Sequence, residues 1–350
     1  MGLKILHSAD WHLDSPFSQF SVDQRLFLQR ELLKIPRKIA DLCHRENCDL
    51  VLLSGDLFDG PYTQKSAREL RLWLEECRVP VFISPGNHDF VSPGSPWLEE
   101  PWPENVHIFT GGLASVTVPG LDCRVWGAGY HAMDCPGLLE NFRAECGEAY
   151  SLAVLHGDPL QANSPYCPVS AAQVRESGLD YLALGHIHKA GSFLAGDTLC
   201  AWPGSPMGRG FDETEERGAY IVTLGELADL RFVPLDTPRF FDWEMDENSL
   251  DTQLPGQGDS HFYRITLRGR SGETIEALRE RYARLPHLRF IDHREEPRDL
   301  WQLAGQDTLE GTYFRLLKEK LEGADPDSAR CIRLAAEISD CLLRGGEVEL

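Results

Sequence analysis

The sequence lacks any apolar run approaching the roughly 20 residues that cross a bilayer, and no basic-then-apolar leader opens it. Membrane residence and export are therefore not expected, and the chain is read as cytoplasmic. It also lacks any Cys-x-x-Cys pair: the ten cysteines are scattered between Cys43 and Cys341. They are expected as reduced, mostly buried thiols rather than a disulfide frame. Positive charge is scarce, with 34 Lys plus Arg against 55 Asp plus Glu and a net charge of −21. That balance argues against strong, metal-independent binding of nucleic acid, although bound divalent cations would reverse the sign locally. Repeats and low-complexity tracts are absent too. What remains is ordinary for a globular protein, 42% hydrophobic and 25% charged. At 350 residues the chain can bury one large core and carry a smaller appendage.

Five short segments stand out: Asp10-Trp11-His12, Gly55-Asp56, Gly86-Asn87-His88-Asp89, His156-Gly157-Asp158 and Gly185-His186-Ile187-His188. Each follows an apolar run: Leu3 to Leu6, Leu50 to Leu53, Val81 to Ser84, Leu152 to Leu155 and Tyr181 to Leu184. Open α/β sheets place their sites at the carboxyl ends of strands. Five such ends carrying Asp, His, Asn and His are expected to converge on one metal site. Taken singly, each segment is weak. A Gly-Asp after a strand is common, and a His-x-His pair is often a satisfied strand end. All five in this order are hard to explain structurally.

The order of elements implies the fold class. Strands at 3–9, 49–54 and 81–84 alternate with amphipathic helices expected at 21–46 and 65–77, which means an α/β fold with a mostly parallel sheet. Shorter β segments from 106 to 129 suggest a second sheet packed on the first. A compact ββαβ unit follows from Phe240, and 299–350 reads as helical. The expected division is 1–237, 238–297 and 298–350.

Imidazole with carboxylate suits Mn²⁺, Fe or Zn²⁺ better than Mg²⁺. Seven candidate ligands exceed one ion's needs, so they divide into two sets sharing Asp56. Asp10, His12, Asp56 and His188 form the first set; Asp56, Asn87, His156 and His186 form the second. Two such ions can activate a water and clamp an in-line attack on phosphorus. His88 is left as the acid for the leaving oxygen, with Asp89 orienting that imidazole or a neighbouring ligand. Asp14 and Asp59 are expected in loop or supporting roles. His7, His44, His107, His131, His261, His287 and His293 are expected as ordinary core or surface residues.

In these segments the chain resembles the calcineurin-like metallophosphoesterases, whose pattern is D-x-H, G-D, G-N-H-D/E, H and G-H-x-H. Ile5 to Leu13, Ser54 to Asp59 and Pro203-Gly204-Ser205-Pro206 look like the Mre11/SbcD DNA-repair nucleases. Leu13 to Phe17 and Gln306 to Gly311 look closer to the bacterial YhaO-type branch. The resemblance implies a two-sheet αββα sandwich with a small α/β capping domain and a helical C-terminal segment. It implies a manganese-dependent DNA exonuclease or endonuclease, a homodimer, and docking of the C-terminal helices on an SbcC/Rad50-like coiled-coil ATPase. Asp14 stands where the main nuclease branch has glycine, and Asp59 where archaeal and eukaryotic relatives have histidine. Two other readings are a phosphodiesterase for small nucleotides and a regulatory subunit of such an ATPase.

Overall fold

The computed structural model describes residues 2–144, 147–256, 258–295 and 299–344. In chain order the strands are β1 (Leu3–Ser8), β2 (Leu50–Leu53), β3 (Val81–Ile83), β4 (Val106–Ile108), β5 (Ala114–Val118), β6 (Cys123–Gly127), β7 (Tyr150–His156) and β8 (Tyr181–Gly185). There follow β9 (Gly191–Ala195), β10 (Thr198–Trp202), β11 (Gly218–Leu224), β12 (Asp229–Pro234), β13 (Phe240–Asp246), β14 (Phe262–Arg268) and β15 (Leu288–Asp292).

One six-stranded sheet has the order β12-β11-β1-β2-β3-β4 and a second has β5-β6-β7-β8-β10-β9. Strands β1 to β4 are mutually parallel, as are β6, β7, β8 and β10, with antiparallel strands at the edges. Period-two alternation explains the layers. Leu50 and Leu52 face one core and Val51 and Leu53 another; Leu152 and Val154 likewise oppose Ala153 and Leu155. The shared core holds Ile5, Leu52, Phe82, Val125, Val154 and Ala183, drawn from both sheets. Helices α1 (Val22–Leu32), α2 (Ile35–Glu46) and α3 (Gln64–Glu76) cover the outer face of the first sheet, and α5 (Ala171–Glu176) that of the second, while α4 (Pro96–Glu99) is a single turn. The chain is thus a mixed α/β protein with two packed sheets and a helical C-terminal segment.

One long helix is expected over 21–46, but the structure has two. Ser21 caps α1 in a reciprocal box with Gln24, and the break falls at Leu33-Lys34 because Pro36 lies in the first turn of α2. Proline has no N–H for the preceding turn and disfavours helical geometry before it.

By packing the chain divides into two compact units. One unit is the chain up to Trp243 with Gly256–Ile265 and Arg284–Arg289; the other is Glu244–Pro255, Thr266–Ala283 and the chain from Phe290. The ββαβ order is present as β13, β14, α7 (Ile275–Arg281) and β15, and these strands form a three-stranded sheet. The second unit also contains α6 (Leu250–Gln253), α8 (Leu300–Leu303), α9 (Leu309–Glu322) and α10 (Pro326–Leu343). In α9 and α10 only a few positions are buried, among them Phe314 and Ala336.

No disulfide links the described cysteines; Cys43, Cys48, Cys77, Cys123, Cys167 and Cys200 are buried, Cys331 is exposed, and Cys146 lies outside the described residues. Among the described residues no helix is long and apolar enough to cross a membrane.

Candidate metal centre

The loops after β1 and β2 zip together: Asp10 N–H donates to Gly55 O at 3.0 Å, His12 N–H to Asp56 O at 2.9 Å and Leu13 N–H to Leu57 O at 2.8 Å. These bonds hold residues in a conformation that L side chains rarely adopt. Asp10, His12, Asp56 and His186 have φ of 55°, 48°, 51° and 92°. Each such residue costs on the order of 1–3 kcal/mol, and such strain clusters where side chains must be aimed. Gly55 shows why glycine precedes Asp56: its φ is 85°, and a Cβ there would stand 2.7 Å from His156 Nδ1.

The structure brings the residues singled out in the sequence to one place. Donor atoms of Asp10, His12 and His188 lie within 4.8 Å of one another, as do those of Asp10, Asp56 and His156, and those of His12, Asp56 and His88. Asn87 Oδ1 is 2.9 Å from His156 Nε2, which is 3.4 Å from Asp56 Oδ2. His186 enters differently: its backbone N–H donates to both Asp10 oxygens at 3.0 and 3.1 Å, and its ring lies 5.3 Å from that of His156. Asp10, His12, Asp56, Asn87 and His156 are buried, whereas His88 is 38% exposed at the mouth.

The imidazoles are arranged to receive a cation. His156 Nδ1 donates to Ser54 O at 2.8 Å, so its Nε2 presents a lone pair toward the oxygens of Asn87 and Asp56. His188 Nδ1 meets Glu213 Oε1 at 2.7 Å and His12 Nδ1 meets Asp59 Oδ1 at 3.3 Å, leaving their two Nε2 atoms facing each other at 3.2 Å. Facing lone pairs repel unless a proton or a metal ion stands between them. Histidine ligands commonly give their other ring N–H to a carboxylate or a carbonyl in this way. Burial lowers the pKa of His12 and favours the neutral, ligating form, against the hydrogen bond that its ring donates to Asp59. Burial would raise the Asp56 pKa, but the His156, His12 and His88 imidazoles around it, together with the His88 N–H, favour its charged form and hold it below the usual carboxylate range. The residues present therefore fit divalent metal.

Three side chains support the site: Asp59, expected in a loop or supporting role, and Glu213 and Arg209, which the sequence did not disclose. Asp59 accepts from His88 Nδ1 at 2.9 Å and from Ser15 Oγ at 2.6 Å. The Asp59 bond is the main cause that raises the His88 pKa, against burial. Glu213, on the loop before β11, orients His188; burial would raise its pKa, and the bond to His188 draws it down to about 2. Arg209 lies across His188. The partner of the His88 imidazole is thus Asp59, and Asp89 acts elsewhere. Its carboxylate accepts Gly86 N–H at 2.7 Å, Leu57 N–H at 2.7 Å and Phe58 N–H at 3.2 Å, which ties the loop of Asn87 to that of Asp56. Burial and the nearby Asp56 charge push the Asp89 carboxyl up to about 7. Asp14 accepts from Thr63 N–H at 2.9 Å and so supports the start of α3.

Beneath the site, His7 is fully buried between Tyr181 Oη at 2.7 Å and Ser54 Oγ at 2.8 Å. Burial pushes its pKa down to about 3. Below the ordinary value of 6.5 the unfolded chain therefore binds a proton that the folded chain refuses, and stability falls with acidification at about 1.4 kcal/mol per pH unit. Between pH 6.5 and 5 the wild-type protein is expected to lose about 2 kcal/mol more than His7→Gln in denaturant unfolding. Parallel losses in the two proteins would show that His7 carries no such penalty.

Residues 3–190 match the family model described as Calcineurin-like phosphoesterase. An uncharacterized metallophosphoesterase of Bacillus subtilis, YhaO, is 33% identical over 249 residues, covering 65% of this chain and 59% of that relative. The SbcD component of the SbcCD nuclease of Staphylococcus epidermidis is 32% identical over 107 residues, 28% of this chain and 26% of the relative. The matched stretches thus span less than two thirds of either relative. A dimetal phosphatase from Danio rerio aligns in structure with a TM-score of 0.46 and 14% identity, over 66% of this chain and 96% of that one. The family match takes in more than half of the chain and all five strand ends that build the site. The chain belongs to the calcineurin-like phosphoesterase family.

Proposed function

We propose that this protein is a two-metal phosphodiester hydrolase that cuts DNA, a nuclease of the Mre11/SbcD kind. The family typically binds two divalent metals and implies a phosphoester hydrolase. The observation that carries the finer reading is the convergence of Asp10, His12, Asp56, His156 and His188 beside a half-exposed His88 that is held by Asp59. The identity to a nuclease component over 107 residues supports DNA as the substrate.

Bound divalent ions would supply an activated water and neutralise charge on the phosphoryl oxygens. Mn²⁺ is the proposed ion: the carboxylates and the Asn87 amide oxygen keep a hard ion in play, and the imidazoles turn the choice away from Mg²⁺. Asp10, His12 and His188 would hold one ion, with Asn87, His156 and His186 toward the other and Asp56 between. His88, its Nδ1 engaged by Asp59, has Nε2 left to give a proton to the leaving oxygen. Asp89 keeps the Asn87 and Asp56 loops in register through backbone N–H groups.

The same reading assigns the C-terminal helices to a coiled-coil ATPase of the SbcC/Rad50 type. What supports it is the row of leucines left in solvent on α9 and α10: Leu309, Leu316, Leu334 and Leu342 are 89%, 55%, 55% and 58% exposed. A homodimer through the α3 surface and a cytoplasmic location belong to the same proposal. The net charge of −21 favours a second reading, a phosphodiesterase for small nucleotides, which need less phosphate neutralisation.

End-labelled single- and double-stranded DNA, offered to metal-stripped protein before and after Mn²⁺ is restored, separates the two. The nuclease reading expects a product ladder only with the metal. Vigorous hydrolysis of a cyclic nucleotide with intact DNA would replace it with the second reading.

A further inference from the structure

Arg209 belongs to none of the ligand motifs, yet its guanidinium lies against a candidate ligand. We infer that Arg209 is a substrate-binding residue that grips a non-bridging oxygen of the phosphoryl group under attack. The inference rests on the hydrolase reading and names a group of this chain that meets the substrate.

The backbone of Arg209 is pinned on both sides. Its N–H donates to Glu213 Oε2 at 2.9 Å, and its carbonyl accepts from the Gln19 side-chain amide at 3.0 Å. The guanidinium is held far less firmly. One terminal nitrogen is 3.2 Å from His188 Nδ1 and 3.5 Å from His188 Nε2. An in-plane hydrogen bond to one ring nitrogen would leave the other well out of reach, so this nitrogen sits over the ring face. His188 Nδ1 already has Glu213 as its in-plane partner at 2.7 Å. The other terminal nitrogen is 3.9 Å from Asp59 Oδ2, too long for a hydrogen bond. Among the described residues Arg209 Nε is buried without a hydrogen-bond partner.

A permanently charged fork with five donors is thus 25% exposed, with no strong acceptor of its own among the described residues. It flanks the same carboxylate that holds His88, which places it at the mouth. A fixed cation beside metal ligands repels the ions those ligands collect, so its position is unfavourable until an anion arrives. The planar fork matches two oxygens of a phosphoryl group better than any single point charge does.

The test uses the Mn²⁺-loaded full chain, inorganic phosphate as the probe, and bis(p-nitrophenyl) phosphate as the substrate. Arg209→Ala is expected to keep its manganese but bind phosphate about 10- to 100-fold more weakly, with kcat/KM reduced to a similar degree. Arg209→Lys, which keeps the charge without the fork, is expected to recover only part of the phosphate affinity. Unchanged phosphate affinity in Arg209→Ala would overturn the inference. So would loss of manganese together with phosphate, which would make Arg209 a brace for His188. Failure of the wild-type protein to hydrolyse any phosphodiester would instead refute the hydrolase reading, and the phosphate titration would still decide whether Arg209 holds the anion.

Discussion

Asp56→Ala is expected to lose both bound metal and turnover. Asp56 stands at the end of β2, between the Asp10–His12–His188 group and His156, with one oxygen 3.8 Å from His12 Nε2 and 3.4 Å from His156 Nε2. Its other oxygen accepts His88 N–H at 2.9 Å, so it also fixes the turn carrying Asn87. Without this carboxylate the facing imidazole nitrogens and Asp10 have no shared anion to balance two cations. Metal chemistry contributes several kcal/mol to such hydrolysis, so the rate should fall by on the order of 10³-fold or more. Metal analysis of the dialysed variant and its hydrolysis of an aryl phosphodiester measure both effects. A variant that keeps two ions and most of its rate would remove Asp56 from the centre of the site.

His88→Ala should behave differently. Its donor atoms border the site, but its side chain is 38% exposed and is held from outside by Asp59. Removal of the proton donor is expected to lower kcat about 10²- to 10⁴-fold with metal content unchanged. The loss should shrink for a substrate whose leaving group needs no proton, such as p-nitrophenolate. Asp59→Asn should weaken the same step, since the carboxylate is the chief cause of the raised His88 pKa. An equal loss of rate for good and poor leaving groups would contradict the acid role.

The ligand-bearing segments were legible because each depends on local pattern. A strand covered on both faces reads as a short apolar run, and its carboxyl end is where polar side chains of an α/β sheet emerge. Leu50 to Leu53 followed by Gly55-Asp56 needs no tertiary information to be recognised. The supporting shell was only partly legible: Asp59 could be expected to support the site from its place three residues after Asp56, but Glu213 and Arg209 meet the imidazoles only through folding. Glu213 is 25 residues from His188, and its loop carries no pattern that distinguishes it from a surface turn. Asp89 shows the opposite hazard. Its adjacency to His88 leaves open whether it orients that ring or a neighbouring ligand, and the buried carboxylate turns back on three backbone N–H groups of the loops that carry Asn87 and Asp56. The helix expected over 21–46 broke for a reason that was present in the sequence, Pro36.

The most direct test of a metal-dependent hydrolase is the rate of bis(p-nitrophenyl) phosphate cleavage by stripped protein while Mn²⁺ is titrated back. The account predicts negligible cleavage without metal and a rate that climbs until about two ions are bound per chain. Cleavage that is already complete in the stripped protein, or that stays absent with both ions bound, would contradict it.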